Sequence, residues 1–297
     1  MDTVPRDQTP FAGGAEWRLG ISTGSCTDCP ILDMLGVLRA SGAHGLELGT
    51  PPRHFNPWKE DQVDAVTRSL REASLEAVSI HAPFGGALDL ADPNPQHRHA
   101  AIGAALVSAS AIRRAGGRIL VVHPSDLERR GQDVGARLAD AARSVTLLAE
   151  HCSNAGLTLA VESPLPHLIG GHPDEFQWIL DHADRSARVC LDTGHTAIGR
   201  SWRRFIEVAG ARLVHVHASD NHGQHDDHLP PGDGAIDWTD IGRTLEAARY
   251  RGWIMLELAR PSGDFAAYFQ RAFRLASALL VTPPAHIQPS PDVEVAP

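Results

Sequence analysis

The stretch from His217 to Gly234, HASDNHGQHDDHLPPGDG, concentrates four histidines and four aspartates in eighteen residues. Imidazole and carboxylate are side chains that hold zinc or manganese. The stretch is therefore either a solvated loop or a segment that feeds several ligands to metal ions. Asp226 and His228 stand two apart, so on an extended backbone they project to one side and can grip one ion. Asp220, Asn221, His222, His225 and Asp227, each taken alone, read as solvated polar residues or as neighbours of ligands.

The same residue types close a series of apolar runs. SIHAPF ends in His81, VVHPS in His123, AVESP in Glu162, and CLDTGH in Asp192 with His195 one turn later. VHVH ends in His217 and MLELA in Glu257. A lone histidine at such a place is usually a satisfied polar residue, and a lone glutamate often pairs with an arginine. Six successive runs ending this way exceed chance in 297 residues that hold 36 Asp plus Glu and 17 His. Ionised carboxylates that converge would also repel unless a cation neutralised them. His215 shares a face with His217 one layer deeper, so it reads as core or as a neighbour of a ligand. Glu47, ending an earlier run, either orients a ligand or pairs with an arginine.

The elements that must position these groups follow from the runs themselves. Eight stretches are almost continuously apolar, as strands buried on both faces should be. They are RLGIST from Arg18, GLELG from Gly45, EAVSIH from Glu76, RILVVH from Arg118, LTLAVES from Leu157, ARVCLD from Ala187, RLVHVH from Arg212 and WIMLEL from Trp253. Between them, KEDQVDAVTRSLREA and GARLADAARSVTLLAEHCSNAG carry helical apolar spacing, and HPDEFQWILDHAD opens with proline and acids as helices do. DFAAYFQRAFRLASALL closes the series. Eight strand–helix units predict an α/β fold, a single (β/α)8 TIM barrel over 18–281, whose chemistry sits at the C-terminal strand ends. Residues 1–17 read as a flexible N-terminal segment and 282–297 as a proline-rich tail.

Composition narrows the setting. The net charge of −9 argues against a nucleic-acid partner, and no run reaches transmembrane length. Four cysteines make no disulfide framework. Cys26 and Cys29 form a C-x-x-C that lacks the second pair a structural zinc site needs. A cytoplasmic location fits.

On these motifs the chain resembles the xylose isomerase-like TIM-barrel superfamily, which contains sugar-phosphate isomerases and epimerases and endonuclease IV-type AP endonucleases. The isomerase and epimerase type implies one divalent metal on Glu162, Asp192, His217 and Glu257. The endonuclease type implies three metals, adding His81 of HAPF, His123 of HPS, His195 of DTGH, and the D-x-H pair Asp226 and His228. In that arrangement His81 and His123 share Glu162 with the central group, and His195, Asp226 and His228 hold a third ion. The chain departs from the endonuclease type at Gly194, where that type has cysteine, and lacks the lysine that follows HxND. Those departures argue against DNA as substrate.

Charge then separates two chemistries. Three carboxylates around one dication leave a net of about −1, which suits sugar hydroxyls and a carbonyl, with Glu162 and Glu257 moving a proton. Four carboxylates around three dications and a hydroxide leave about +1, which suits a phosphate. The nine-residue set leads to the expectation of phosphoester hydrolysis on a small sugar-phosphate-like substrate, using three zinc or manganese ions. The alternative is a one-metal sugar or sugar-phosphate isomerase or epimerase with Glu162 and Glu257 as its acid/base pair.

Overall fold

A computed structural model of the chain describes residues 17–281. The segments 1–16 and 282–297, for which a flexible arm and a proline-rich tail were expected, lie outside the described residues. Trp17 is already seated: it is buried, and its indole nitrogen donates to the Tyr250 carbonyl at 3.0 Å.

Eight parallel strands close into one barrel in sequence order. They are β1 (Arg18–Ser22), β2 (Gly45–Leu48), β3 (Glu76–His81), β4 (Ile119–Val122), β5 (Thr158–Glu162), β6 (Arg188–Asp192), β7 (Leu213–Ala218) and β8 (Trp253–Leu256). Pairing of β1 with β8 closes the ring, with Arg18 opposite Trp253 and Ile21 opposite Leu256. All eight apolar runs read from the sequence are strands. The outer layer comprises α1 (Ile31–Ala40), α2 (Glu60–Glu72), α3 (Pro95–Ala115), α4 (Val134–Asn154), α5 (Pro173–His182), α6 (Thr193–Ile198), α7 (Trp202–Ala209), α8 (Trp238–Ala247) and α9 (Phe265–Ala276). Among the described residues no helix is long and apolar enough to cross a membrane.

Side-chain oxygens start several of these helices. Asn94 accepts from Gln96 N ahead of α3, and Asp133 accepts from Ala136 N ahead of α4. The main core lies between strands and helices and includes Phe55, Phe176, Phe205 and Phe269, all buried. The lumen is different. Its apolar filling is a small plug of Val121, Ala160 and Cys190. Met255 also enters, and it fits because Gly20 opposite it has no Cβ to meet its sulfur. Above the plug the lumen turns polar.

Candidate metal centre

Strand register sets the height of the polar groups. Asp192 stands opposite His217, and Glu162 is one residue beyond the Val161–Val189 pair, opposite Cys190. In parallel strands alternate residues share a face, so Glu162, Asp192 and His217 converge on the mouth. Glu257 follows β8 directly, with its N–H donating to Ala218 O at 3.1 Å. One atom each from Glu162, Asp192, His217 and Glu257 falls within 4.8 Å of all the others. A second group of the same compactness joins His81, His123 and the shared Glu162.

Glu162 links the two. Its Oε2 lies 3.0 Å from His81 Nε2 and 3.3 Å from His123 Nε2, and its Oε1 lies 3.2 Å from His217 Nδ1. His217 Nδ1 is also 3.0 Å from Glu257 Oε2. The trio expected for a third ion is connected through one oxygen. Asp226 Oδ2 lies 3.3 Å from His195 Nε2 and 2.8 Å from His228 Nε2. That trio is not among the groups whose ligand atoms all fall within 4.8 Å.

Local structure explains how the loop residues reach the mouth. Asp192 caps α6 by accepting from His195 N at 2.7 Å, so the residue that faces the centre also fixes the turn bearing His195. Gly194 is needed there: a Cβ would stand 2.5 Å from Ser219 Oγ and 3.1 Å from Asp226 Oδ1. His228 adopts a left-handed backbone, φ +48°, and its carbonyl accepts from Ala259 N. Asp220, read from sequence as solvated or merely adjacent to ligands, is buried and organises the loop. It accepts from Asn221 N, Gly232 N, Ile236 N and Trp238 Nε1. A Cβ at Gly234 would run into its carboxylate. His222 and His225 are exposed, as a solvated loop would have them.

Every site histidine has one ring nitrogen held and the other aimed at a carboxylate. His81 Nδ1 bonds Ala82 O, His123 Nδ1 bonds Asp126 Oδ1, His195 Nδ1 bonds Ser163 O, and His228 Nδ1 bonds Glu257 O. His217 is held by Nε2, which lies 3.1 Å from Glu47 Oε2. Holding the outer nitrogen by a carbonyl or carboxylate is how proteins orient metal-binding imidazoles. Asp192 Oδ2 and Asp226 Oδ1 are buried without any hydrogen-bond partner. No lysine or arginine pairs with Glu162, Asp192, Asp226 or Glu257 among the described residues. Oriented imidazoles, unused carboxylate oxygens and absent basic partners fit a divalent cation.

The protonation pattern agrees. Burial, helped by Glu162, Glu257 and Asp226, pushes Asp192 up to about 6 against the pull of His195. Burial would also raise Glu162, but His217 and His123 outweigh it and hold that carboxyl well below the usual range. Against burial, Asp192 and Asp226 raise His195 to about 9, and Asp226 with Glu257 raises His228 to about 10. The carboxylates are thus balanced by protonated histidines. An entering dication must displace those protons, so loading strengthens as pH rises.

Beside the centre opens a cleft of ≈ 470 Å³. Glu257 and His81 form its floor, and Trp58, Phe84, Leu88 and Pro51 are among its walls. Phe84, about half exposed, sets its ring 4.9 Å from that of His81 and 4.3 Å from that of His123. Among the described residues no lysine or arginine lines this cleft. An adjoining hollow shares Gly24, Thr27 and Glu257 with it and contains Arg260, which is ion-paired with Asp28. Sequence reasoning missed this cleft, because its walls come singly from separate loops and form no motif.

Comparison with known proteins completes the picture. The profile of the xylose isomerase-like TIM barrel family matches residues 35–279, and the chain belongs to that family. It is 24% identical over 263 residues to a putative hydroxypyruvate isomerase of Streptomyces coelicolor, covering 81% of this chain and 89% of that one. It is 27% identical over 158 residues to a probable endonuclease 4 of Thermoplasma acidophilum, covering 51% of each. A Sinorhizobium fredii protein, uncharacterised, is 29% identical over 45% of this chain; the match spans less than half of that relative, 44%. Among solved structures, a D-tagatose 3-epimerase-like protein superposes with TM-score 0.77 at 19% identity, covering 89% of this chain and 98% of that one. A D-psicose 3-epimerase from Clostridium cellulolyticum H10 gives 0.76 at 17%, covering 89% and 99%. At these identities the structural likeness shows the shared fold.

Proposed function

We propose that the chain is a divalent-metal-dependent sugar isomerase or epimerase, with Glu162, Asp192, His217 and Glu257 holding the working ion. The observation that carries this reading is the compact four-residue group at the floor of a cleft that no lysine or arginine of the described residues lines. A dication held there would polarise a substrate carbonyl and stabilise negative charge developing on its oxygen. The chain's own part is to move a proton. Glu257 faces the cleft, and its carboxylate takes the proton from the carbon beside the carbonyl. Glu162 is buried on the other side of His217 and supplies the second carboxylate for proton return. In both, burial favours the neutral acid, but His217, with His123 at Glu162 and His228 at Glu257, outweighs it and holds the carboxyl below its usual range, the ionised form a base needs. Trp58, Phe84 and Leu88 exclude water and offer apolar faces to the carbon skeleton. Lys59 is the chain's single lysine and does not line the cleft, so no lysine amine stands there to form an imine.

Two neighbours named as 3-epimerases and a relative named as a putative hydroxypyruvate isomerase support this reading. Phosphoester hydrolysis is the second reading. It is favoured by the bond of Asp226 to both His195 and His228, and by the relative named as a probable endonuclease 4. Three compact ion sites are what hydrolysis would require, and two of the three expected groups of ligands are that compact. Incubation with Mn²⁺ and a set of ketose and aldose pairs in D₂O separates the two. Deuterium exchange at the carbon beside the carbonyl is expected. Phosphate release from sugar phosphates with no exchange on any sugar would overturn the first reading in favour of the second.

A further inference from the structure

Beneath the mouth, the lumen holds a polar knot that the proton transfer does not use. Glu47 of β2, Ser79 of β3 and His215 and His217 of β7 meet there, each 0% exposed. One oxygen gathers them. Glu47 Oε2 accepts from Ser79 Oγ at 2.8 Å and lies 3.1 Å from His217 Nε2 and 3.3 Å from His215 Nε2. The other oxygen, Oε1, is buried with no partner. The arginine that the sequence left open as a partner is absent: among the described residues Glu47 forms ion pairs with the two histidines alone. A buried carboxylate whose partners are imidazoles alone, charged only when protonated, costs several kcal/mol once those imidazoles are neutral, in a lumen that barrels of this kind fill with apolar side chains. Something must offset that cost.

We propose that Glu47 is a positioning residue for the metal centre: it holds His217 by Nε2–H and so keeps the Nδ1 lone pair aimed between Glu162 and Glu257. The proposal rests on His217 being a metal ligand. The contrast with the other histidines supports it. His81, His123, His195 and His228 are held by Nδ1 and present Nε2, whereas His217 is held by Nε2 and presents Nδ1. Three of those four are held by backbone carbonyls and the fourth by Asp126, which is partly exposed. Glu47 is the fully buried carboxylate of the set. A carboxylate behind an imidazole fixes its tautomer and makes the opposite nitrogen a stronger donor to a cation. The dication above offsets in turn the charge buried below.

Glu47, His215 and His217 also bring ligand atoms within 4.8 Å of one another, the spacing of an ion site of their own. The hydrogen bonds argue otherwise. Ser79 already donates into Oε2, the oxygen both histidines share, and its hydroxyl lies 3.2 Å from His215 Nε2. The knot gathers around that one oxygen, while Glu47 Oε1 and His215 Nδ1 are left without partners.

Zinc-loaded wild-type protein labelled with ¹⁵N at histidine tests the tautomer directly. His217 is expected to carry its proton on Nε2, with the metal shift on Nδ1. A metal-bound His217 protonated on Nδ1 overturns the proposal alone; a His217 without any metal shift overturns the ligand assignment and the proposal with it. Co²⁺ titration of variants supplies a second readout. Glu47→Gln, nearly isosteric, should weaken binding of the central ion by about 10- to 100-fold and shift its visible absorption. Glu47→Asp should restore part of both. His215→Ala should change neither. Wild-type affinity in a folded Glu47→Gln, or loss of one ion per chain in His215→Ala, overturns the proposal.

Discussion

The ends of β3 to β8 and the loops that leave them bring His81, His123, Glu162, Asp192, His195, Asp226, His228 and Glu257 to the barrel mouth. The loops that leave β1 and β2 bring Gly24, Thr27, Pro51, Pro52 and Trp58 to the same rim. One side is crowded with ionisable groups and the other has almost none. The difference teaches how the two halves divide the work. Burying carboxylates and imidazoles is tolerable only where each is anchored and a counter-charge is available. Strand ends and helix caps supply that anchorage, as Asp192 does by capping α6. The apolar side needs no such accuracy. It contributes area and water exclusion, so it can be built from exposed prolines and aromatics on loops. Replacements on the ionic side should therefore damage turnover, and replacements on the apolar side should damage affinity.

The largest effect is expected at Glu162, which touches both compact groups. Glu162→Gln should lower bound metal at both and reduce turnover by about three orders of magnitude or more. His123→Ala touches one group and should cost less. Metal analysis of each purified variant, with turnover on the same sugar, checks this. Equal and small losses would sink the linking role. Next comes the loop trio. With Asp226→Asn and His228→Ala combined, an isomerase or epimerase should lose no more than about tenfold, whereas a hydrolase should lose orders of magnitude. The fold should persist in either case, because Asp226 and His228 are partly exposed and lie outside the apolar core.

These contrasts were unevenly legible in the sequence. The strands were plain, because strands covered on both faces are continuous apolar runs, and their polar ends stood out against them. The nine candidate ligands followed from those ends and from the D-x-H spacing, and the structure brings five of the expected contacts to Glu162 or Asp226 within 3.3 Å. The compactness of each trio was not legible, since it depends on loop backbone such as the left-handed His228. Nor was the work of Asp220, whose four donors come from up to eighteen residues downstream. Glu47 was left ambiguous because its partner His217 lies 170 residues away, reachable only through barrel closure.

On the apolar side the expected effect is smaller and of another kind. Trp58 is about half exposed and walls the cleft from the loop that follows β2. Trp58→Ala should raise KM by about tenfold and leave kcat within about threefold, the pattern of lost uniform binding. Steady-state kinetics on the best sugar would show it. A collapse of kcat at unchanged KM would erase the division between the two halves.

The smallest effect concerns pH and sets the histidines of the two halves against each other. On the apolar side His54 ties the loops after β1 and β2: its Nδ1 lies 2.7 Å from Cys29 O and its Nε2 2.9 Å from Thr23 Oγ1. Burial lowers its pKa, against the Cys29 and Cys26 carbonyls. A lowered folded-state pKa means that the unfolded chain binds the proton more readily. The stability from a neutral His54 is therefore present above the unfolded value of about 6.5 and is lost as pH falls below it. On the ionic side the sign reverses. With chelator present, His195 and His228 are raised to about 9 and about 10 by their carboxylates, so their contribution is full below about 6.5 and fades as pH climbs toward those values. Melting temperatures of the chelated protein between pH 5 and 10 should separate the two. His54→Asn should flatten the acid limb by no more than about 3 °C and leave the alkaline limb unchanged. His228→Asn should flatten the alkaline limb and leave the acid limb unchanged. An acid limb insensitive to His54→Asn would show that the neutral tie does not hold the apolar half together.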